Sequence, residues 1–150
     1  MNNTRRRQIK KDIKNLENQV IVLEYLKQKY CNTETIPSDD LTTLIEKLES
    51  VSSILEDVSF SIDDLANEER ECYDNLPESI QWSEKGEAME AAADNLEMAK
   101  DAVDSATESV NDIVTELNDI DEVDNDIDID FDDVIVSIDE CVDYLNDAME

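Results

Sequence analysis

The chain has 150 residues, of which 41 are acidic and 12 basic, for a formal net charge of −29, with one Gly, two Pro and no His. That length allows one compact domain or a simple helical array, and so few Gly and Pro leave too few tight turns for a many-stranded β fold. A surface this acidic repels nucleic acid and anionic membrane over most of its extent, and its natural partners are basic proteins or cations.

The charge is unevenly placed. Residues 1–30 carry eight bases and three acids, whereas residues 101–150 carry 19 acids and no base. The start, MNNTRRRQIKKD, has no apolar signal-type run, and no stretch approaches membrane-spanning length. A cytoplasmic chain without membrane contact is expected. Cys31, Cys72 and Cys141 are far apart and share no paired spacing, which without His excludes a zinc site and predicts reduced thiols packed as small hydrophobes.

A basic first helix is expected over residues 1–31, with Ile9, Ile13, Leu16, Val20, Leu23 and Tyr30 at steps of three and four and Lys27 in the one slot lacking an apolar residue. The run RRRQIKKDIK could touch nucleic acid or an anionic surface. The better reading is that this helix relieves the repulsion of the acidic remainder and docks through Ile9, Ile13 and Leu16. Pro37 then breaks the pattern, and Ser38 or Asp39 can cap the second helix.

Residues 38–75 and 86–120 carry the strongest signal. Leu41, Leu44, Leu48, Val51, Leu55, Val58, Ile62 and Leu65 alternate steps of three and four, Glu69 breaks the series, and Cys72 and Leu76 resume it. Met89, Ala92, Leu96, Ala99, Val103, Ala106, Val110, Ile113, Leu117 and Ile120 form a second such series, whose Ala residues predict close approach of a neighbour. Two helices of similar length joined by a short connector predict an antiparallel hairpin turned at Pro77, with Leu48, Leu55 and Ile62 against Leu96, Val103 and Val110. In the connector, Gly86 is expected to relax the chain, and Leu76, Ile80 and Trp82 to plug that end.

Residues 68–99, EERECYDNLPESIQWSEKGEAMEAAADNLEMA, resemble small acidic proteins of bacteriophages and prophages that share a YDNLPESIQ-like core followed by an acidic, Ala-rich helix. The resemblance covers about a fifth of the chain. It implies a phage origin and a helical hairpin, and no reaction.

The stretch 121–133, DEVDNDIDIDFDD, places Asp124, Asp126, Asp128, Asp130 and Asp132 at every second position. From Asp128, an EF-hand pattern is nearly met by Asp130, Asp132 and Asp139, but Asp133 stands where the loop needs Gly, so no metal site is expected. Alternation and low helix propensity predict a break near 122–130, with Asp130 or Asp132 as an N-cap; a continuous helix through Phe131, Val134 and Ile138 is the alternative. A C-terminal helix is expected over 133–149, on Ile135, Ile138, Val142, Leu145 and Met149. The whole is expected to be an all-α, elongated coiled-coil hairpin or helical bundle. One narrow seam per helix leaves apolar surface that favours a homodimer.

No nucleophile–base pair or phosphate-cradling Gly loop is present, so neither catalysis nor a cofactor is expected. The ladder can be read as a solvated linker, but solubility needs only a modest net charge. Duplex DNA carries one charge per about 1.7 Å of axis, and an extended ladder would space carboxylates roughly 6.8 Å apart. In composition and helicity the chain is similar to phage antirestriction proteins of the Ocr type and to acidic anti-CRISPR proteins. The resemblance implies a DNA mimic that inhibits a basic, DNA-binding defence protein in an infected bacterial host. Its expected surface is the ladder with Asp133, Asp139, Glu140 and Asp143, and the helical row Asp101, Asp104, Glu108, Asp112, Glu116 and Asp119. The alternative is a coiled-coil scaffold or chaperone for basic phage proteins.

Overall fold

Apolar residues recurring at steps of three and four line one face of a helix, and the described residues of this chain form four long helices of that kind. The computed structural model describes residues 1–30, 36–120 and 129–150, and among these there is no strand. The elements are α1 (Asn3–Tyr30), α2 (Ser38–Asp74), the single turn α3 (Glu78–Gln81), α4 (Glu84–Asn118) and α5 (Asp132–Met149). Helices α2 and α5 each pack on both α1 and α4, so the four long helices ring one core in chain order. Cross-helix pairs fix an antiparallel relation between neighbours: Arg5 meets Glu69, Arg70 meets Asp94 and Lys27 meets Asp132. The result is an up-down-up-down bundle whose longest helix, of 37 residues, spans about 55 Å at 1.5 Å per residue.

The expected hairpin forms the firmest wall. Leu48, Leu55 and Ile62 of α2 and Leu96, Val103 and Val110 of α4 are all buried in one core cluster. Ala92, Ala93, Ala99, Ala102 and Ala106 are buried too, and side chains this small let the α4 backbone lie close to both α2 and α5 along most of its length. Helix α1, with Leu16, Leu23 and Leu26 on its inner face, stands farther from its neighbours. The apolar seams therefore find their partners within one chain.

In α1 and α5 half of the expected series is buried as placed, and at the alternate positions the buried residue is the one before the expected one. The buried row of α1 is Ile9, Asp12, Leu16, Gln19, Leu23, Leu26 and Tyr30, while Ile13, Val20 and Lys27 lie half-buried on its flank. Apolarity alone favoured Ile13 and Val20; the helix instead turns Asp12 inward, where hydrogen bonds satisfy it. Lys27 fills no seam slot and pairs with Asp132. In α5 the buried row is Val134, Ile138, Cys141, Leu145 and Ala148, with Ile135, and Val142 and Met149 fall to its edge.

The ends also differ from expectation. Pro37 itself is the N-cap of α2, leaving Ser38 and Asp39 inside the first turn, where Asp39 and Asp40 face the positive end of the helix dipole. Phe131 is the N-cap of α5, and Asp130 supports that start by accepting the Asp132 N–H at 2.8 Å. Trp82 is 81% exposed and Ile80 37% exposed, so neither plugs the hairpin end. The opposite end is the plugged one, closed by Tyr30, Ile36 and Phe131 in the core cluster.

Gly86 does not relax the chain ahead of α4, because it lies inside the first turn and has no positive φ. It is required by close approach: a Cβ there would sit 2.2 Å from the Gln81 carbonyl oxygen and 2.5 Å from that of Ile80. Within a helix, Ala is ordinarily favoured over Gly by about 1 kcal/mol. Gly86→Ala should reverse that sign and destabilise by about 1–3 kcal/mol, as overpacking against fixed backbone does. Urea denaturation of the two chains measures it, and a stabilised variant would show that the α3–α4 turn yields.

Candidate partner-binding surface

Charge placement begins with the twelve bases, because each either neutralises a carboxylate or leaves it bare. On α1, Arg5 donates to Glu68 at 2.8 Å, to Glu69 at 2.6 Å and to the Cys72 thiol at 3.2 Å. Glu69 is fully buried at the seam position where the apolar series breaks, and its second oxygen lies 3.1 Å from the Met1 amino group. A buried carboxylate is tolerated when it is both paired and hydrogen-bonded. Arg70 bridges α2 to Asp94 and Glu97 of α4, each at 2.7 Å, and Lys100 holds Asp104 at 2.6 Å. Lys29 and Lys47 lie over the rings of Tyr30 and Tyr25.

Asp12 is the second buried carboxylate, 2% exposed, accepting from Ser61 at 2.7 Å and from Gln8 at 3.0 Å. Burial pushes its carboxyl above the ordinary range, against the opposing pull of those two donors and of Lys11. With Asn15, Asn18 and Gln19 it lines a polar cavity of about 390 Å³ between α1 and α2. Asp104, on the far side of the core, is pushed up by partial burial, yet Lys100 and Ser59, both donating to it, hold it below its usual value. Cys141 is buried and its thiol is pushed up to about 12 by burial and by the nearby carboxylates of Asp12 and Asp104. It behaves as the small hydrophobe expected from the sequence, whereas Cys72 is half-buried against Arg5.

The outer faces of α4 and α5 are the acidic surface. Helix α4 carries ten acids and two bases, and α5 six acids and no base. Asp101, Glu108, Asp112, Glu116 and Asp119 are exposed, and all but Glu116 form one narrow stripe by the 100° helical step. Asp104 departs from that set, being half-buried and already bonded to Ser59 and Lys100. On α5, Asp132, Asp139 and Asp143 share one exposed stripe, with Asp133 and Glu140 on a second stripe beside it. The two helices meet along a shallow groove of about 300 Å³, lined by Asp101, Ala102 and Ser105 of α4 and by Ser137 and Glu140 of α5. Of the ladder, Asp130 and Asp132 are exposed; Asp132 is engaged by Lys27 and Asp130 by a backbone N–H. Asp124, Asp126 and Asp128 lie outside the described residues.

The docking face expected of α1 is present in Ile9 and Leu16, with Ile13 displaced to the flank. Its exposed side carries Arg7, Lys10, Lys11 and Lys14, which form no ion pair among the described residues. Sequence reasoning missed Glu69 and Asp12 as buried charges. Glu69 could have been found, since it stands seven residues after Ile62 on an otherwise apolar seam. Among the described residues, no group of acids and thiols is placed to hold a metal ion, and no helix is long and apolar enough to cross a membrane.

Comparison with protein-family models, curated proteins and solved structures yields no match.

Two predictions test the buried charges. Arg5→Ala leaves Glu69 without its main partner in the core and should cost about 3–5 kcal/mol in denaturant unfolding, as breaking a buried pair does. A loss under about 1 kcal/mol would mean that the amino group suffices. For Asp12, a raised folded value means that its contribution to stability is full below the ordinary 3.8 and is lost as pH rises through the folded value. Asp12→Asn cannot ionise, so its stability relative to the parent chain should climb as pH rises from the ordinary carboxyl value of 3.8 through the raised folded one. A flat difference across that interval would place Asp12 in contact with water.

Proposed function

We propose that this protein is an acidic DNA mimic of phage origin. It acts without catalysis in the cytoplasm of an infected bacterium, where it occupies the DNA-binding site of a basic host defence protein. The observation that carries this reading is the acidic surface of α4 and α5, whose sixteen acids meet only Lys85 and Lys100 on the same two helices; Asp94, Glu97, Asp104 and Asp132 are paired, and the rest form no ion pair among the described residues. Helix α4 spans about 50 Å at 1.5 Å per residue, a length over which duplex DNA presents about 30 charges. A Lys- and Arg-lined groove built for that polyanion would attract this rod by the same long-range field. The rigid bundle adds preorganisation, because α4 and α5 are held at close spacing before any partner arrives. The likeness of residues 68–99 to small acidic phage proteins supports the setting.

The test is capture from a bacterial lysate on the immobilised chain, with elution by rising salt or by duplex DNA. Host DNA-binding proteins released by DNA, with affinity falling steeply in salt, are the expected result. Phage structural proteins that DNA does not displace would favour the scaffold reading instead. Replacing Asp101, Glu108, Asp112 and Glu116 by their amides should weaken the captured partner's binding about 10- to 100-fold at low salt, at a few tenths to 1 kcal/mol per exposed charge. Replacing Asp124, Asp126, Asp128, Asp130 and Asp132 by Asn measures the ladder separately. If neither set changes affinity or salt slope, the mimicry is wrong.

A further inference from the structure

The acidic face leaves the hairpin tip unused, and the tip carries the most exposed large apolar side chain among the described residues. Trp82, the only tryptophan of the chain, is 81% exposed beside the partly exposed Ile80. An aromatic left in water on a loose loop would carry little meaning, but this turn is braced from three sides. The Gln81 amide donates to the carbonyls of Tyr73 at 3.3 Å and Leu76 at 3.2 Å, which fastens the turn to the end of α2. Ser83 caps α4 by accepting the Gly86 N–H at 3.4 Å while its hydroxyl donates to the Ile80 carbonyl. Gly86 lets the α4 backbone close onto those same residues at a distance no other side chain permits. The indole is thus carried on a fixed platform. Around it, Asp74, Glu78, Glu84 and Glu87 are exposed, against Lys85 alone.

We propose that this tip is a docking knob, and that Trp82 inserts into an apolar pocket edged by Lys or Arg on a partner protein. Rigid, exposed Trp side chains are the residues most enriched at the energetic centre of protein interfaces, and a preformed platform spares the ordering cost of binding. The acidic rim sets the partner's sign. It disfavours a second copy, whose net charge is −29. The knob rests on the basic partner proposed for the acidic face, and supplies what charge alone lacks: a short-range anchor that fixes orientation and survives salt.

Because Trp82 is the sole tryptophan, its fluorescence reports the knob directly. The full chain is titrated with two defined hosts: neutral β-cyclodextrin, an apolar cavity, and its amino derivative, the same cavity ringed by ammonium groups. The amino host should bind about tenfold more tightly at low salt, from one or two close charge pairs, and lose that advantage at about 0.5 M salt. Glu78→Gln with Glu84→Gln should remove the preference without altering binding of the neutral host. Equal affinity for the two hosts overturns the charged rim, and no binding of either overturns the accessible knob. A self-association in sedimentation that Trp82→Ala abolishes would assign the knob to a second copy and overturn the proposal as well. No DNA-binding protein enters this experiment, so its failure is distinct from failure of the DNA competition.

Discussion

The spacing of α4 from its neighbours governs the rest of the molecule. Ala92, Ala99 and Ala106 alternate with Leu96, Val103 and Val110 along its seam, so the helix settles close to α2 without losing apolar contact. Ala102 does the same service where α5 packs, beside Ser137. Close approach has an electrostatic consequence: it brings the outer carboxylates of α4 and α5 onto one continuous surface. Larger residues in those positions would splay the helices and dilute the field that a basic partner would meet.

A chain of net charge −29 folds against its own repulsion, and the arrangement of helices limits that cost. Among the described residues, most side-chain ion pairs tie one long helix to another. Arg5 and Lys27 secure the two ends of α1 against α2 and α5, and Arg70 crosses from α2 to α4. The remaining cations of α1 face outward on the side away from α4, so the charge is polarised across the bundle and the acidic face stays unneutralised. Such a distribution favours fast, salt-sensitive association more than it favours stability.

How far this was legible in the sequence depends on which helix is considered. In α2 and α4 the central members of the three-and-four apolar series are buried as spaced, so Leu48, Leu55, Leu96 and Val103 could be placed from spacing alone. In α1 the apolar and buried rows diverge, because Asp12 and Gln19 are satisfied inside while Ile13 and Val20 lie at the flank toward a second neighbour. Spacing has no term for a hydrogen bond to Ser61, which is 49 residues away. The tip was misjudged for a related reason. Leu76, Ile80 and Trp82 are apolar enough to plug an end, but the turn is closed by Gln81 and by the Gly86 contact, neither of which hydrophobicity records. The acidic faces were legible as composition, while the half-burial of Asp104 depended on where Ser59 and Lys100 fell.

The polar residues in the α1 seam have one more consequence. An uninterrupted apolar face can rotate by one residue, or slide by a turn, and still bury similar area. Asp12 has its Ser61 hydrogen bond in a single alignment, and Glu69 meets Arg5 in the same one. Any other alignment strands a carboxylate in the core without a donor. The two buried acids thus act as a vernier between α1 and α2: they give up some stability to make one alignment readable, in a protein whose outer surface must present its charges at fixed places.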